Sequence, residues 1–242
     1  MPNSDELTQD LESLRHSDQR LLRTVDSLTA QDWQEPSLLP GWSRAHVVAH
    51  LALNAEGFAG ALEGVTVGEQ VAIYPSQEAR NAGIHELAQE DTAQIREHLF
   101  GATQRLRDAF AMLTAEQWEG TVNRLPEGPV WPIAELLEAR QREVEIHHAD
   151  LGLDYTHENW PAEFAATLVE SSTATHDLSP DSPAFAVRAT DLGRTWTVGA
   201  DEPVVSGTAS ALGWWLIGRG EGEGLSAEPG PLPALGPWQR VR

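Results

Sequence analysis

One pattern, written twice, limits the folds open to this chain more than any other feature. Asn3 with Glu6 three residues later reads as a helix start, and Leu7, Leu11, Leu14, Leu21, Leu22, Val25 and Leu28 recur at helical spacing behind it. The helix runs into LTAQDW at 28–33, a loop carrying Pro36, Pro40 and Gly41, and then Trp42. From Trp42 and Ser43 a second helix is expected to about Leu62, with Val47, Val48, Leu51, Ala55, Phe58 and Leu62 inward. Residues 63–76 read as a connection, because Gly64, Gly68 and Pro75 interrupt them. A third helix follows, read as continuous from near Ile84 to Leu113. The chain then writes LTAEQW at 113–118, another Pro/Gly-rich loop, Trp131 and a fourth helix. Thr114 with Gln117 forms a capping box, so shared capping chemistry alone would produce the repeated hexapeptide. The matching order on both sides favours a four-helix bundle made of two related pairs.

The fourth helix, read over 131–151 as WPIAELLEARQREVEIHHADL, carries the chemistry. Pro132 sits where an opening helix tolerates proline, and no glycine intervenes before Gly152. Glu143 and His147 stand four apart and therefore share a face. A carboxylate and an imidazole so placed either grip one metal ion or form an ordinary helical hydrogen bond. The second helix offers His46, His50 and Asn54, again four apart. If the two helices face each other, His50 completes a tripod with Glu143 and His147. Two imidazoles and one carboxylate suit zinc and leave a coordination position open. His46, one turn nearer the loop, is the rival for His50. His148, Glu145 and Asp150 project elsewhere from the helix and stay outside the expected site.

After Gly152 the texture changes. A helix over 161–176 precedes short β-rich runs at 184–190 and 194–198, joined by Asp191-Leu192-Gly193, a hairpin signal. A third strand at 203–206 and a short helix at 208–217 follow, ending in GRGEGEG. The expected organisation is a multi-domain α and α+β protein. Residues 1–155 form the metal-binding bundle, and 156–242 a small α+β domain.

Composition removes whole classes of chemistry. The formal net charge is −21, which repels nucleic acid and anionic lipid. There is no cysteine, hence no thiolate nucleophile, disulfide or sulfur ligand from the chain. There is no lysine either, since all 16 basic residues are arginine, which excludes Schiff bases and a P-loop. No apolar run approaches a membrane span and the first ten residues are polar, so the expectation is a cytoplasmic protein.

Five segments carry a family resemblance: GWSRAHVVAHLALNAEGF at 41–58, EARN at 78–81, REVEIHHADLG at 142–152, VVSGTAS at 204–210 and GRG at 218–220. In order and spacing, over nearly the whole chain, they resemble the mycothiol-dependent maleylpyruvate isomerases, which belong to the DinB-like bundle family. The resemblance implies a zinc ion on His50, Glu143 and His147, and a catalytic role for Arg219. Arg80, in EARN, is a candidate substrate contact, and a bundle-surface ion pair is the other reading of it. The implied reaction is cis–trans isomerisation of maleylpyruvate to fumarylpyruvate, in gentisate-type aromatic catabolism. A thiolate adds to the alkene, the single bond rotates, and the thiolate leaves. Mycothiol would bring the thiol this chain lacks, and zinc would ionise it near neutral pH. The partners expected are thus a dianionic substrate and a low-molecular-weight thiol, with a monomeric protein. Two alternatives remain at this level: a mycothiol S-transferase acting on electrophiles, and a non-catalytic metal- or ligand-binding protein.

Overall fold

The structure, a computed structural model, describes residues 4–236. The expected Asn3 cap lies outside the described residues. By backbone contacts the chain divides into two compact units, the first ending at Asp154 and the second starting at Tyr155.

Four long helices build the first unit: α1 (Ser4–Ser27), α2 (Arg44–Val67), α4 (Thr92–Met112) and α6 (Glu135–Asp150). Between them lie two shorter helices, α3 (Gln77–Leu87) and α5 (Ala115–Trp118), and a ribbon of β1 (Thr121–Asn123) and β2 (Val130–Pro132). α2 packs along α4, α1 along α6, and α6 also contacts α2. Glu56 pairs with His98 and Glu63 with Arg105, so α2 and α4 run in the same direction. The bundle encloses two apolar clusters, and each LTAxxW motif drops its tryptophan into one of them. Trp33 is fully buried in the first, and Trp118 stacks on Phe110 in the second with centroids 5.6 Å apart. Burying two indoles of this size is what makes the repeated motif structural.

Three boundaries differ from the sequence expectation. The third helix is two helices, because Asp91 starts α4 afresh: its carboxylate accepts from Ala93 N at 2.8 Å, while Gln94 Oε1 accepts from Asp91 N at 3.3 Å. The second helix continues through Gly64 to Val67 and stops at Gly68 in the left-handed region (φ 75°). Gly64 is used for close approach, since a Cβ there would lie 2.7 Å from Val71 Cγ2. The fourth helix starts at Glu135. Trp131 and Pro132 are strand, paired with Val122 and Thr121, and Ile133 N donates to Gly120 O. Proline is tolerated at the end of a two-stranded ribbon, so it did not mark a helix start here.

The second unit contains α7 (Ala162–Asp177), β3 (Phe185–Ala189), β4 (Arg194–Gly207), α8 (Ala209–Leu216) and β5 (Ser226–Glu228). β4 pairs with β3 twice. Its first part returns antiparallel through the turn at Gly193, with Ala189 opposite Arg194. Its last part runs parallel to β3, with Ala189 opposite Gly207, and pairs antiparallel with β5. Helices α7 and α8 cover this sheet around a core of Val169, Phe185, Val187, Val205, Leu212 and Trp215. The fold is thus a helical N-terminal region followed by an α+β part. No helix among the described residues is long and apolar enough to cross a membrane.

Candidate metal centre

Two arginines brace the helices that carry the candidate ligands. Near one end, Arg44 Nε donates to Leu151 O at 2.9 Å, joining the start of α2 to the end of α6. A turn and more further along, the fully buried Arg140 of α6 donates to Leu51 O at 2.9 Å and to Asn54 Oδ1 at 2.8 Å. His50, Glu143 and His147 sit between these braces.

The three candidates converge. His50 Nε2 lies 2.8 Å from Glu143 Oε2, and His147 Nε2 lies 3.3 Å from the same oxygen. One donor atom from each falls within 4.8 Å of the others. The two imidazole rings meet edge to face at 4.7 Å, and Trp42 stands 5.8 Å from His50. His50 is almost fully buried, whereas Glu143 keeps a third of its side chain exposed, so one side of the cluster is open.

His46 is elsewhere. It sits at the N-cap box of α2, with Nδ1 2.8 Å from Ser43 Oγ, and its ring faces His85 at 5.7 Å. His148 reaches Thr24 on α1, and Glu145 reaches Ser17 and Arg20 there. Asp150, expected to project elsewhere, instead meets the cluster: its fully buried carboxylate accepts from His147 Nδ1 at 2.8 Å. The i,i+3 spacing from His147 was the available signal. Arg80, on α3, donates to His50 Nδ1 at 3.1 Å, which places it beside the cluster. Arg219 belongs to the second unit. It follows α8 between Gly218 (φ 73°) and Gly220 (φ 64°), and its N–H bonds to Trp214 O at 3.0 Å.

Charge is divided unequally over the cluster. Burial pushes His50 down to about 4, and Glu143 offsets this only in part. Burial also opposes charge on His147, yet bonds to Asp150 and Glu143 outweigh it and lift the imidazole to about 9. Burial raises Glu143, but its contacts with the two imidazoles hold it well below the ordinary range. The arrangement is an ionised carboxylate between one neutral and one protonated imidazole. An arginine can only donate, so His50 accepts at Nδ1 and directs its own N–H at Glu143.

The donor set fits a borderline divalent cation. Two nitrogens and one oxygen from rigid helices are a three-ligand set of the kind zinc takes, with room for one exogenous ligand. His147 also has the usual support of a metal-binding imidazole, a carboxylate on its far nitrogen.

The comparisons with known proteins agree with this architecture. The family model described as the mycothiol maleylpyruvate isomerase N-terminal domain matches residues 14–152, more than half of the chain. A crystal structure of the mycothiol-dependent maleylpyruvate isomerase is similar over 96% of this chain and 97% of that one, at 27% identity and a TM-score of 0.87. The same values hold for a variant of it in which one histidine is replaced by alanine. No curated protein is significantly similar to the chain. From the matched domain, the chain belongs to the mycothiol maleylpyruvate isomerase family.

Proposed function

We propose that this protein is a zinc- and mycothiol-dependent enzyme that isomerises maleylpyruvate to fumarylpyruvate, as a cytoplasmic monomer serving gentisate-type aromatic catabolism. The observation that carries the proposal is the convergence of His50, Glu143 and His147 at a partly open cluster. The full-length likeness to a solved mycothiol-dependent maleylpyruvate isomerase supports it.

His50, Glu143 and His147 would hold the metal, with Asp150 keeping His147 oriented through Nδ1. Held there, zinc would supply the acidity that makes a bound thiol nucleophilic near neutral pH, and that thiol would be the group that adds to the alkene and then leaves. The chain's own tasks are to hold a dianion and to stabilise the charge that develops on its carbonyl oxygen. Lacking lysine, it offers arginine as its permanent cation for both. Arg219 is the catalytic candidate, with a planar fork suited to a carboxylate or an enolate oxygen. Arg80 is a substrate contact, since it already stands against His50. The Trp42 ring and the buried side of His50 exclude water from one flank of the cluster.

A coupled assay tests the proposal. Zinc-replete protein with maleylpyruvate alone should be inert, because no side chain supplies a thiol. Catalytic mycothiol should start turnover, with the free thiol quantitatively recovered. Loss of one thiol per product would establish an S-transferase instead, and thiol-independent turnover would refute the mechanism.

A further inference from the structure

The side of the cluster next to Arg80 contains a chain of hydrogen bonds whose direction is dictated by its first member. Arg140 is fully buried and has donors only, so its bond to Asn54 must end on the amide oxygen, at 2.8 Å. The Asn54 amide is therefore not free to flip, and its Nδ2 donates to Tyr74 Oη at 3.2 Å. Tyr74 is thus made an acceptor on that side. Its own O–H proton is directed elsewhere, and among the described residues it meets no acceptor.

Tyr74 is a built feature and not a stray core ring. Its backbone N–H bonds to Arg124 O at 3.0 Å, along the edge of β1, and the residue is only 7% exposed. The ring carries two guanidinium groups: Arg80 at 5.5 Å and Arg124 at 5.6 Å from its centroid. Arg80 also touches His50, and Asn54 follows His50 by one helical turn, so this platform adjoins the tripod. Arg80 is unusual for its charge. In a chain with 37 acidic residues and 16 basic ones, its partners are an imidazole, the Asn81 amide and an aromatic face. No carboxylate among the described residues pairs with it, and its Nε is buried without a hydrogen-bond partner. Two cations held on a ring, a buried unused guanidinium N–H and a hydroxyl proton with no acceptor among the described residues together suit an anion with planar oxygens.

We propose that Tyr74, Arg80 and Arg124 form a carboxylate-binding subsite beside the tripod, with the Tyr74 hydroxyl as a donor that Arg140 and Asn54 orient. It rests on the reading of the protein as acting on a dianion, and adds where one carboxylate of that dianion is held. The arginines supply charge, and the hydroxyl supplies a short directional bond that a guanidinium pair alone does not.

The experiment uses zinc-loaded full-length protein and two substitutions that treat the same proton differently. Tyr74→Phe removes the hydroxyl but keeps the ring under both arginines. Asn54→Asp keeps the hydroxyl but presents only acceptors, so the tyrosine proton turns inward to it. Both should raise KM for maleylpyruvate about tenfold to a hundredfold, the range for losing one hydrogen bond to a charged group, while kcat falls less. Maleate, a simple cis-enedicarboxylate, should bind more weakly by the same factor when titrated calorimetrically without thiol. The double variant should be no worse than either single one, because both remove one interaction. Zinc affinity should be unchanged in both. A KM and maleate affinity within twofold of wild type in Tyr74→Phe would overturn the subsite. So would loss of zinc in that variant, which would assign the hydroxyl to holding the bundle. Wild-type protein that neither turns over maleylpyruvate nor binds maleate would refute the functional reading itself, and the subsite with it.

Discussion

Varying the pH at which zinc is offered to the protein tests the tripod without altering a residue. Metal ligands must shed their protons, so apparent affinity rises with pH by one decade per unit for each proton displaced. Between about pH 5 and pH 9 the structure makes that number one. Glu143 is already ionised and His50, near 4, already neutral, whereas His147, near 9, still carries a proton. The logarithm of the association constant should therefore climb with a slope near one from pH 5.5 to 8, roughly a 300-fold gain over 2.5 units. Two ordinary imidazoles, titrating near ~6.5, would give a slope approaching two below pH 6 and almost none above pH 7. The interval from pH 7 to 8 thus separates the two cases, with about a ninefold gain in one and less than about twofold in the other. Competition against a chelating dye of known pH dependence measures it, with zinc held below the concentration at which hydroxide precipitates. A flat line from pH 7 to 8 would refute the charge distribution derived from Asp150 and Glu143. The same shift has a stability consequence of fixed sign. A histidine whose folded pKa is raised stabilises the metal-stripped protein fully below about 6.5, and that contribution is lost as pH rises through about 9.

Three further outcomes follow from particular residues. His50→Ala should abolish stoichiometric zinc by elemental analysis while the helical circular dichroism survives, and His46→Ala should retain zinc, since Ser43 and His85 are its neighbours. Zinc held by His50→Ala and lost by His46→Ala would reverse the assignment. Asp150→Asn removes the charge on His147 Nδ1, so the rise of zinc affinity with pH should level off earlier, with affinity at pH 8 lower by about 10- to 100-fold. An unchanged titration would show that Asp150 does not support the ligand. Arg219→Lys keeps a charge but loses the planar fork, so steady-state kinetics should show a large fall in kcat/KM with zinc still bound. Wild-type kinetics in Arg219→Ala would end its catalytic assignment.

Much of the fold and half of the site were legible locally. The 3.6-residue spacing of leucines and valines marks the long helices because a helix closes its hydrogen bonds within four residues and buries one stripe. The same periodicity put His46 with His50, and Glu143 with His147, each pair on one face. The missing cysteine and lysine excluded chemistries outright, a conclusion that needs no coordinates. What local pattern could not decide was every question involving a distant partner. Trp131 and Pro132 continue a helical apolar pattern, yet they are strand because residues 121–122 lie alongside to accept their pairing. His46 and His50 are equivalent by spacing. Only the packing of α6 on α2, held by Arg44 and Arg140, brings Glu143 to His50 and leaves His46 to cap its helix. Helical direction alone points Asp150 away from Glu143, yet its carboxylate reaches back one turn to His147. The Asn54–Tyr74 bond joins residues 20 apart across a helix, a loop and the edge of a ribbon. Backbone periodicity records which face of an element is buried, and it carries no information about which other element covers that face. The donors, acceptors and charges that make the site are set by that covering, and so by tertiary structure.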